Sequence, residues 1–394
     1  MECLLTIEID ALSKTYITKE LTPFLYNLKN KSHFSDLETN LTFFEYIDSF
    51  TGLYPEETGA FSTFYHDKIS TYNWLRYFRF LDNIDTKFTR FIINGITNLG
   101  RLIKGKNNFV SISRIPIKKA HLFDTVINKQ ICNTNSIKKE TLFDLLRKKE
   151  IKHCYINLPF ISKNNENKYI FGLSDEKAIK SAIKTLKESY QFYHIYLRGI
   201  DDLTHYYGIN SDEVKNRMNQ IDKLIEGLVT KFNNKYNLKL MIYSLHGMIP
   251  VTKTINILEL LDKSDLKENE DYVIFLDSTL ARFWFKNKNA KEKIIQTLNN
   301  IKEGEILTKD RLRKYKIDFK DNRYGDLIFL VKPGILILPN YFQGNNLVKA
   351  MHGYVPIKEL DGVFIYNDKN TRYKKINRQN ITKIYGSILK SMNL

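Results

Sequence analysis

The sequence is poor in cysteine, and its cysteines are not arranged for cross-linking. Cys3, Cys132 and Cys154 are the only three in 394 residues. They are far apart, include no CxxC pair and are odd in number, so neither a disulfide framework nor a zinc site of thiolates is indicated. A chain of this length buries a large core without such cross-links. We therefore expect a reduced, intracellular protein.

The sequence also lacks a secretory signal and any long apolar run. Residues 1–10 lead directly into a predicted strand, without the basic and apolar regions of a signal peptide. No apolar run approaches the roughly 20 residues that a membrane-spanning helix needs. These absences favour a cytoplasmic protein without a membrane partner.

Acidic residues are the scarcer charge. The chain has 44 Asp and Glu against 61 Lys and Arg, a formal net charge of +17. Such an excess is found in proteins that bind nucleic acids or membranes. The basic residues here are mostly Lys scattered among Asn and Ile, with no compact block. We therefore interpret the charge as a background that attracts phosphate-bearing substrates, and a nucleic-acid-binding module is the less favoured interpretation.

Strand-like and helix-like segments alternate through most of the chain. This alternation predicts an α/β fold with a mostly parallel central sheet and helices on both faces. The predicted strands are residues 3–9, 37–42, 152–158, 194–200 and 239–245. The first predicted helix begins at Pro23, and the later ones cover residues 43–50, 175–191, 211–232 and 381–392.

Two regions interrupt the alternation. Residues 61–150 are aromatic and basic, and their helical patches predict a helical elaboration around the mouth of the site. Aromatic residues in such a region also suit base stacking, although a buried helix face is the commoner cause. Residues 265–345 predict a small α+β insertion or cap. Residues 1–260 and 346–394 then form the predicted catalytic core.

Metal-ligand side chains follow several of the predicted strands. Asp10 ends the first strand, Asp201 and His205 follow another at i, i+4 spacing, His246 follows a third, and His352 comes late in the chain. The carboxyl ends of parallel strands meet at one sheet edge, and carboxylate and imidazole groups are common ligands of divalent metals. For the Asp and His pair taken alone, a helix cap with a surface histidine is the alternative.

Thr42 lies at a predicted junction between a strand and a helix. A helix N-terminus at that place would present free amide groups and a positive dipole end to an anion. Threonine is also a common helix cap. The local sequence leaves both interpretations open.

These motifs, in this order, resemble the alkaline phosphatase superfamily, and in particular its type I phosphodiesterase/nucleotide pyrophosphatase branch. The resemblance covers nearly the whole chain. It rests on Ile9-Asp10, Thr22-Pro23 with Leu28, Thr42-Phe43, Thr51-Gly52-Leu53-Tyr54-Pro55-Glu56 with Gly59, Asp201 with His205, Ser244 with His246-Gly247-Met248, and His352-Gly353-Tyr354. The stretch Asp277-Ser278-Thr279-Leu280-Ala281-Arg282 is similar to that branch as well.

The resemblance implies an alkaline phosphatase-like fold and a metal-dependent hydrolase with a threonine nucleophile, Thr42. Such an enzyme cleaves or transfers a phosphoryl group of a small phosphorylated metabolite. The implied metal ligands are Asp201, His205 and His352 at one site, and Asp10, Thr42 and His246 at the other. Zinc is the expected metal at both sites, with manganese as the alternative. Paired metals lower the pKa of a hydroxyl and clamp the oxygens of an in-line displacement.

Three positions depart from the family pattern. Leu245 stands where the family has an aspartate ligand, Glu45 stands where an asparagine donates to the phosphate, and Ala11 stands where glycine is usual. Because Glu45 lies one helical turn from Thr42, we hypothesise that its carboxylate replaces the lost ligand. The competing hypothesis is a catalytically impaired homologue with a degraded second metal site that binds a phosphorylated ligand or partner.

Substrate contacts are the least readable feature of the sequence. Arg282 and Trp284, in the predicted insertion, are candidates for a phosphate or base contact. Packing within the insertion is the alternative for both residues. The sequence gives no indication of the oligomeric state.

Overall fold

The computed structural model describes residues 1–68, 70–84, 87–103, 112, 114–126, 137, 139–157, 168–368 and 376–394. Within these residues the strands are β1 (Glu2–Ile9), β2 (His33–Glu38), β3 (Phe64–His66), β4 (Phe123–Thr125), β5 (His153–Ile156), β6 (Lys168–Ile170), β7 (Phe192–Leu197), β8 (Asn237–Tyr243), β9 (Ile249–Pro250), β10 (Lys253–Ile255), β11 (Tyr272–Leu276), β12 (Leu280–Phe285), β13 (Gly304–Ile306), β14 (Leu327–Val331), β15 (Ile335–Ile337), β16 (Ala350–Met351), β17 (Gly362–Asn367) and β18 (Arg378–Asn380).

The α-helices of the same residues are α1 (Pro23–Lys31), α2 (Glu45–Thr51), α3 (Pro55–Thr58), α4 (Lys87–Ile103), α5 (Ile117–Ala120), α6 (Leu142–Lys148), α7 (Asp175–Thr185), α8 (Gly199–Tyr207), α9 (Asp212–Lys235), α10 (Ile257–Asp262), α11 (Lys288–Asn299), α12 (Lys309–Lys314) and α13 (Lys383–Met392). Tighter 3-10 segments lie at Lys14–Tyr16, Asn73–Ile84, Leu186–Glu188 and Lys358–Leu360.

The central sheet has the strand order β18-β2-β17-β8-β1-β7-β5-β6. Among these strands, β17 runs antiparallel to both of its neighbours, and every other pair is parallel. Both faces of β1 are buried, because Leu5 and Ile7 join one apolar cluster while Leu4 joins another. A parallel strand covered on both faces reads as a continuous apolar run. The predicted α/β fold with a mostly parallel sheet is confirmed.

Helices cover the two faces of this sheet. Residues of α1, α7, α8 and α9 belong to the apolar cluster on one face, and residues of α2, α6 and α13 belong to the cluster on the other. A second, antiparallel sheet has the order β11-β12-β14-β13 and lies within the predicted insertion. The division of the chain into a core and an insertion stays a prediction.

The second predicted strand and the helix after it are displaced from their predicted positions. The strand β2 covers His33–Glu38 rather than residues 37–42, and α2 begins at Glu45 rather than Phe43. Just beyond the end of β2, the Asn40 amide donates to Asp48 of α2 at 2.6 Å, which holds this stretch against the helix. Thr42 is therefore in a loop and is not a helix cap.

Some residues named in the sequence analysis lie outside the described part of the chain. Cys3 and Cys154 are buried free thiols, whereas Cys132 and the predicted strand end Leu158 lie outside the described residues. Across the described part of the chain, no helix combines the length and apolar character needed to span a membrane.

Candidate active site

Three adjacent strands deliver most of the candidate ligands to one edge of the central sheet. Asp10 directly follows β1, Asp201 and His205 lie on α8 just after β7, and His246 lies in the loop after β8. His352 follows β16, which pairs with β9 in the continuation of that loop. The sheet order β8-β1-β7 therefore brings together residues that are far apart in sequence.

The partly buried Asp10 and the buried His246 form an acid–base pair. His246 Nε2 lies 3.1 Å from Asp10 Oδ1, and the Tyr196 hydroxyl donates to Asp10 Oδ2. Burial opposes the charge of Asp10, yet the hydrogen bond and charge of His246, aided by Tyr196, lower the pKa of the carboxyl. Burial also opposes protonation of His246, but Asp10 together with Glu45 and Asp201 raises its pKa to about 10. A cation on Nε2 would take the place of that proton.

Asp201, His205 and His352 bring one ligand atom each to within 4.8 Å of one another. His205 Nε2 lies 3.5 Å from Asp201 Oδ2, and His205 Nδ1 lies 2.8 Å from the Ala350 carbonyl. The carbonyl accepts the Nδ1 proton, which leaves the Nε2 lone pair for a metal.

Two atoms of this group fit a bound cation particularly well. Asp201 Oδ1 and His352 Nδ1 are buried and have no hydrogen-bond partner among the described residues. Burial, with the charges of His246 and His205, holds the pKa of His352 well below its usual value, so this imidazole is neutral. Burial and the nearby Asp10 raise the pKa of Asp201. A divalent cation bound to Asp201 would satisfy its orphaned oxygen and stabilise the ionised carboxylate, and the neutral His352 Nδ1 can likewise ligate a cation.

Glu45 lies among the ligands. Glu45, His246 and His352 form a further group with ligand atoms within 4.8 Å of one another. Glu45 Oε1 lies 3.6 Å from His352 Nδ1, and the rings of His246 and His352 stack with centroids 4.0 Å apart. Burial raises the pKa of Glu45 to about 7, against the lowering effect of His246. Asp10, Asp201 and His246 complete a third group, so the three groups share members.

The Thr42 side chain is fully buried in the loop before α2. Its hydroxyl donates to the Phe61 carbonyl at 3.1 Å and accepts the Phe44 N–H at 3.0 Å. Both partners are backbone groups, so they fix the rotamer of the side chain without supplying a base. The Thr42 hydroxyl is well held, and its proton is directed away from the Phe44 amide.

The loop that carries Thr42 touches the chain segment that carries His352. Gly353 has a φ of +78°, and a Cβ there would lie 2.8 Å from the Phe43 ring. The ring of Phe43 also stacks on Phe342, with centroids 6.1 Å apart. Sequence reasoning gave neither Phe342 nor Tyr196 a role. Tyr196 carried one usable signal, since it lies at the end of a strand that pairs with β1.

The departures from the family pattern have clear structural settings. Leu245 is buried in the same apolar cluster as Tyr243 and Phe364, so this position contributes to the core rather than to a metal site. The neighbouring Ser244 hydroxyl accepts the Leu12 N–H and thereby ties the loop after β8 to the turn after β1. Ala11 has a φ of +59°, a left-handed conformation that glycine adopts with less strain.

The two candidate substrate contacts have structural partners. Arg282 is fully buried, and its guanidinium donates to Asp277 at 2.6 Å and to the Phe64 carbonyl at 2.8 Å. Trp284 is also buried, and its indole N–H donates to the Asn322 carbonyl. These contacts fit the packing alternative, and a role for either residue in substrate binding stays a prediction.

Comparisons with known proteins identify the family and the fold. Residues 4–355 match a family profile described as type I phosphodiesterase/nucleotide pyrophosphatase. Human ectonucleotide pyrophosphatase/phosphodiesterase 5 superposes with a TM-score of 0.72 at 16% identity, covering 100% of this chain and 95% of the human chain. The murine counterpart, an inactive threonine-to-alanine variant in complex with AMP, gives 0.72 at 15% identity, with coverage of 100% and 96%. No match was found among curated proteins.

Proposed function

The chain belongs to the type I phosphodiesterase/nucleotide pyrophosphatase family of hydrolases, and we propose that it cleaves a small phosphorylated metabolite with Thr42 as the nucleophile. The family match confirms the resemblance carried by the sequence motifs and the hydrolase class that it implied. The observation that supports the finer proposal is the convergence of three overlapping ligand groups next to the Thr42 loop.

The ligand groups suggest how two divalent cations would be held. Asp201, His205 and His352 would hold one, and Asp10, His246, Glu45 and the Thr42 hydroxyl would hold the other. When bound, such cations supply positive charge that lowers the pKa of a hydroxyl and offsets the charge of the reacting phosphoryl group. Carboxylate and imidazole donors suit zinc, and manganese is compatible with the carboxylates.

The residues of the chain would each contribute a defined part of the reaction. Thr42 Oγ would lose its proton to solvent water and give up its hydrogen bond to Phe61, form a bond to phosphorus, and displace the leaving oxygen, which takes up a proton from water. The Phe44 N–H continues to donate to Oγ and holds it in place. Water then attacks the phosphothreonine and restores the hydroxyl. The Ala350 carbonyl and the Tyr196 hydroxyl keep His205 and Asp10 oriented for these steps.

A nucleotide-containing substrate is the version of this proposal with the most support. The murine relative was solved in complex with AMP as an inactive threonine-to-alanine variant. In this chain, Thr42 is followed by Phe43, which stacks on Phe342 beside the site. An aromatic side chain adjacent in sequence to the nucleophile suits a base or sugar next to the reacting phosphate.

One observation favours the competing function, a homologue that binds a phosphorylated ligand without turning it over. The Thr42 side chain has no exposed surface, and Leu245 supplies core packing in place of a ligand. A nucleophile must contact its substrate. In the competing function Thr42 therefore stays buried and keeps its present hydrogen bonds.

Metal content separates the two functions. We expect elemental analysis of the purified chain, loaded with zinc or manganese, to find two metals per chain. Glu45→Gln should retain one, because an amide replaces the anionic ligand of the second site. Glu57→Gln, at an exposed position of the short helix α3, is the matched control and should retain both.

Activity completes the test. Hydrolysis of bis(p-nitrophenyl) phosphate should be lost in Thr42→Ala, which keeps Asp10, His246 and Glu45 at the second site. One metal or none in the unaltered chain would instead establish that the second site is degraded. Binding of AMP without hydrolysis would then support the competing function.

A further inference from the structure

The helix α8, which carries Asp201 and His205, is not capped by the residue that precedes it. That residue, Arg198, supplies no side-chain hydrogen bond to the first turn. Instead Asp175, the first residue of α7, accepts the Arg198 N–H with Oδ1 and the Gly199 N–H with Oδ2, both at 3.2 Å. A carboxylate at this place satisfies amide groups that lack partners within the helix, and it complements the positive end of the helix dipole.

Arg217 of α9 holds Asp175 in this position. Its guanidinium donates to Asp175 Oδ2 at 2.7 Å and also to Glu176. The Asp175 side chain is 1% exposed and the Arg217 side chain 14% exposed. Burial raises the pKa of Asp175, and the hydrogen bond and charge of Arg217 oppose that rise, so Arg217 favours the ionised carboxylate. The N-terminus of α8 therefore contacts an anion that is itself fixed by a third helix.

The contact is close enough to restrict the residue that begins α8. A Cβ on Gly199 would overlap Asp175 Oδ2 and would lie 2.9 Å from Arg217 Nε. A glycine at this position lets the carboxylate and the guanidinium approach the helix backbone. Any larger residue would displace the ion pair from the start of the helix.

The start of α8 matters because Asp201 lies in its first turn. A separate contact holds the far end of the helix, where the His205 carbonyl accepts the Lys349 N–H at 2.7 Å. Asp201 Oδ1 is buried and has no hydrogen-bond partner among the described residues. The placement of Asp201 therefore depends on the helical turn that Asp175 holds.

We propose that Asp175 and Arg217 are positioning residues for the metal site of Asp201, His205 and His352. The pair fixes the first turn of α8, and this turn directs the Asp201 carboxylate toward the cation. The inference rests on the proposed function, because it concerns how one ligand of the proposed metal site is held. A purely structural pair would stabilise the packing of α7, α8 and α9 and leave the metal affinity unchanged.

The zinc affinity of the metal-free chain, measured by competition with a chromophoric chelator, tests this proposal. Asp201→Ala removes a ligand, so the binding step that it abolishes identifies the site. Asp175→Asn should raise the zinc Kd of that same site about tenfold, at the lower end of the effect expected for residues that support metal ligands. Arg217→Lys should raise it by a smaller factor, because a lysine cannot donate as a fork. This second variant carries the test if Asp175→Asn does not fold.

Asp222→Asn is the matched control. Asp222 is also a buried carboxylate at a helix start, and it accepts the N–H groups of Phe24 and Leu25 at 2.9 Å. These residues lie in the first turn of α1, which carries none of the candidate ligands. The control should lower the unfolding temperature, as Asp175→Asn does, and leave both zinc Kd values unchanged.

The outcomes separate this inference from the proposed function. An unchanged zinc Kd in Asp175→Asn and Arg217→Lys, or an equal rise in Asp222→Asn, would overturn the positioning role and leave the metal site in place. If Asp201→Ala binds zinc as the unaltered chain does, or if neither binds it, the proposed metal site is wrong and the inference fails with it.

Discussion

Arg282 is the most deeply buried charge of the second sheet, and its role can be measured directly. Its partner Asp277 is also fully buried and accepts a hydrogen bond from the Ser62 hydroxyl. Arg282→Met should lower the free energy of unfolding by about 3–5 kcal/mol, because Asp277 would remain buried without its cation. Urea denaturation measures this loss. Arg282→Met/Asp277→Asn is the control and should recover part of it.

The opposite pattern would assign Arg282 to the substrate. If Arg282→Met left the unfolding curve unchanged while KM for a phosphodiester rose, the guanidinium would be a substrate contact. The buried hydrogen bonds to Asp277 and Phe64 make the structural outcome the expected one.

Single residues also mark the limit of what the sequence reveals about the site. Asp10, Asp201, His205 and His246 could be placed near each other because they follow parallel strands, whose ends share one edge. The position of Glu45 in a ligand group depends on where α2 begins, and that is decided by tertiary contacts such as the one between Asn40 and Asp48. No local pattern encodes such a contact.

At the level of secondary-structure elements, β5 carries a histidine whose titration makes the stability of the protein depend on pH. His153 is buried. Burial and the charge of Arg147 lower its pKa to about 4, although the Ile151 carbonyl accepts a hydrogen bond from its Nδ1, which acts in the opposite direction. In the unfolded chain the pKa returns to about 6.5. As the pH falls from about 6.5 to about 4, the unfolded chain binds a proton that the folded chain does not, so stability decreases.

Because of His153, the free energy of unfolding should be lower at acid pH by about 3 kcal/mol. Urea denaturation across this range would measure it, and His153→Gln should weaken the dependence because glutamine does not titrate. Above neutral pH the variant and the unaltered chain should respond to pH alike. An equally steep loss in the variant would show that other groups, such as the buried His194, govern acid unfolding.

The elements were predictable to the extent that they are buried on both faces. The strands β1, β5, β7 and β8 appear in the sequence as apolar runs, because each is central and covered by helices. The strand β17 was not predicted, although it lies between β2 and β8. Its direction is opposite to theirs, and an alternating pattern of strands and helices contains no signal for one reversed strand.

For the whole molecule, the net charge of +17 makes a prediction about nucleic acids. We expect weak binding to a labelled random DNA duplex at low salt and none near physiological salt, because scattered lysines neutralise few phosphates at once. Fluorescence anisotropy over a salt series measures this. Tight binding that persists at physiological salt, with a slope of several released ions, would revive the nucleic-acid-binding interpretation.

The order of strands in the central sheet has a consequence for folding of the nascent chain on the ribosome. The strand β1 is made first, yet its partners β7 and β8 begin only at Phe192 and Asn237. At translation rates of about 5–20 residues per second, the first partner emerges on the order of ten seconds or more after β1. Throughout that interval both edges of the apolar strand β1 are unpaired. We therefore expect chaperones to bind mainly the first residues of the nascent chain.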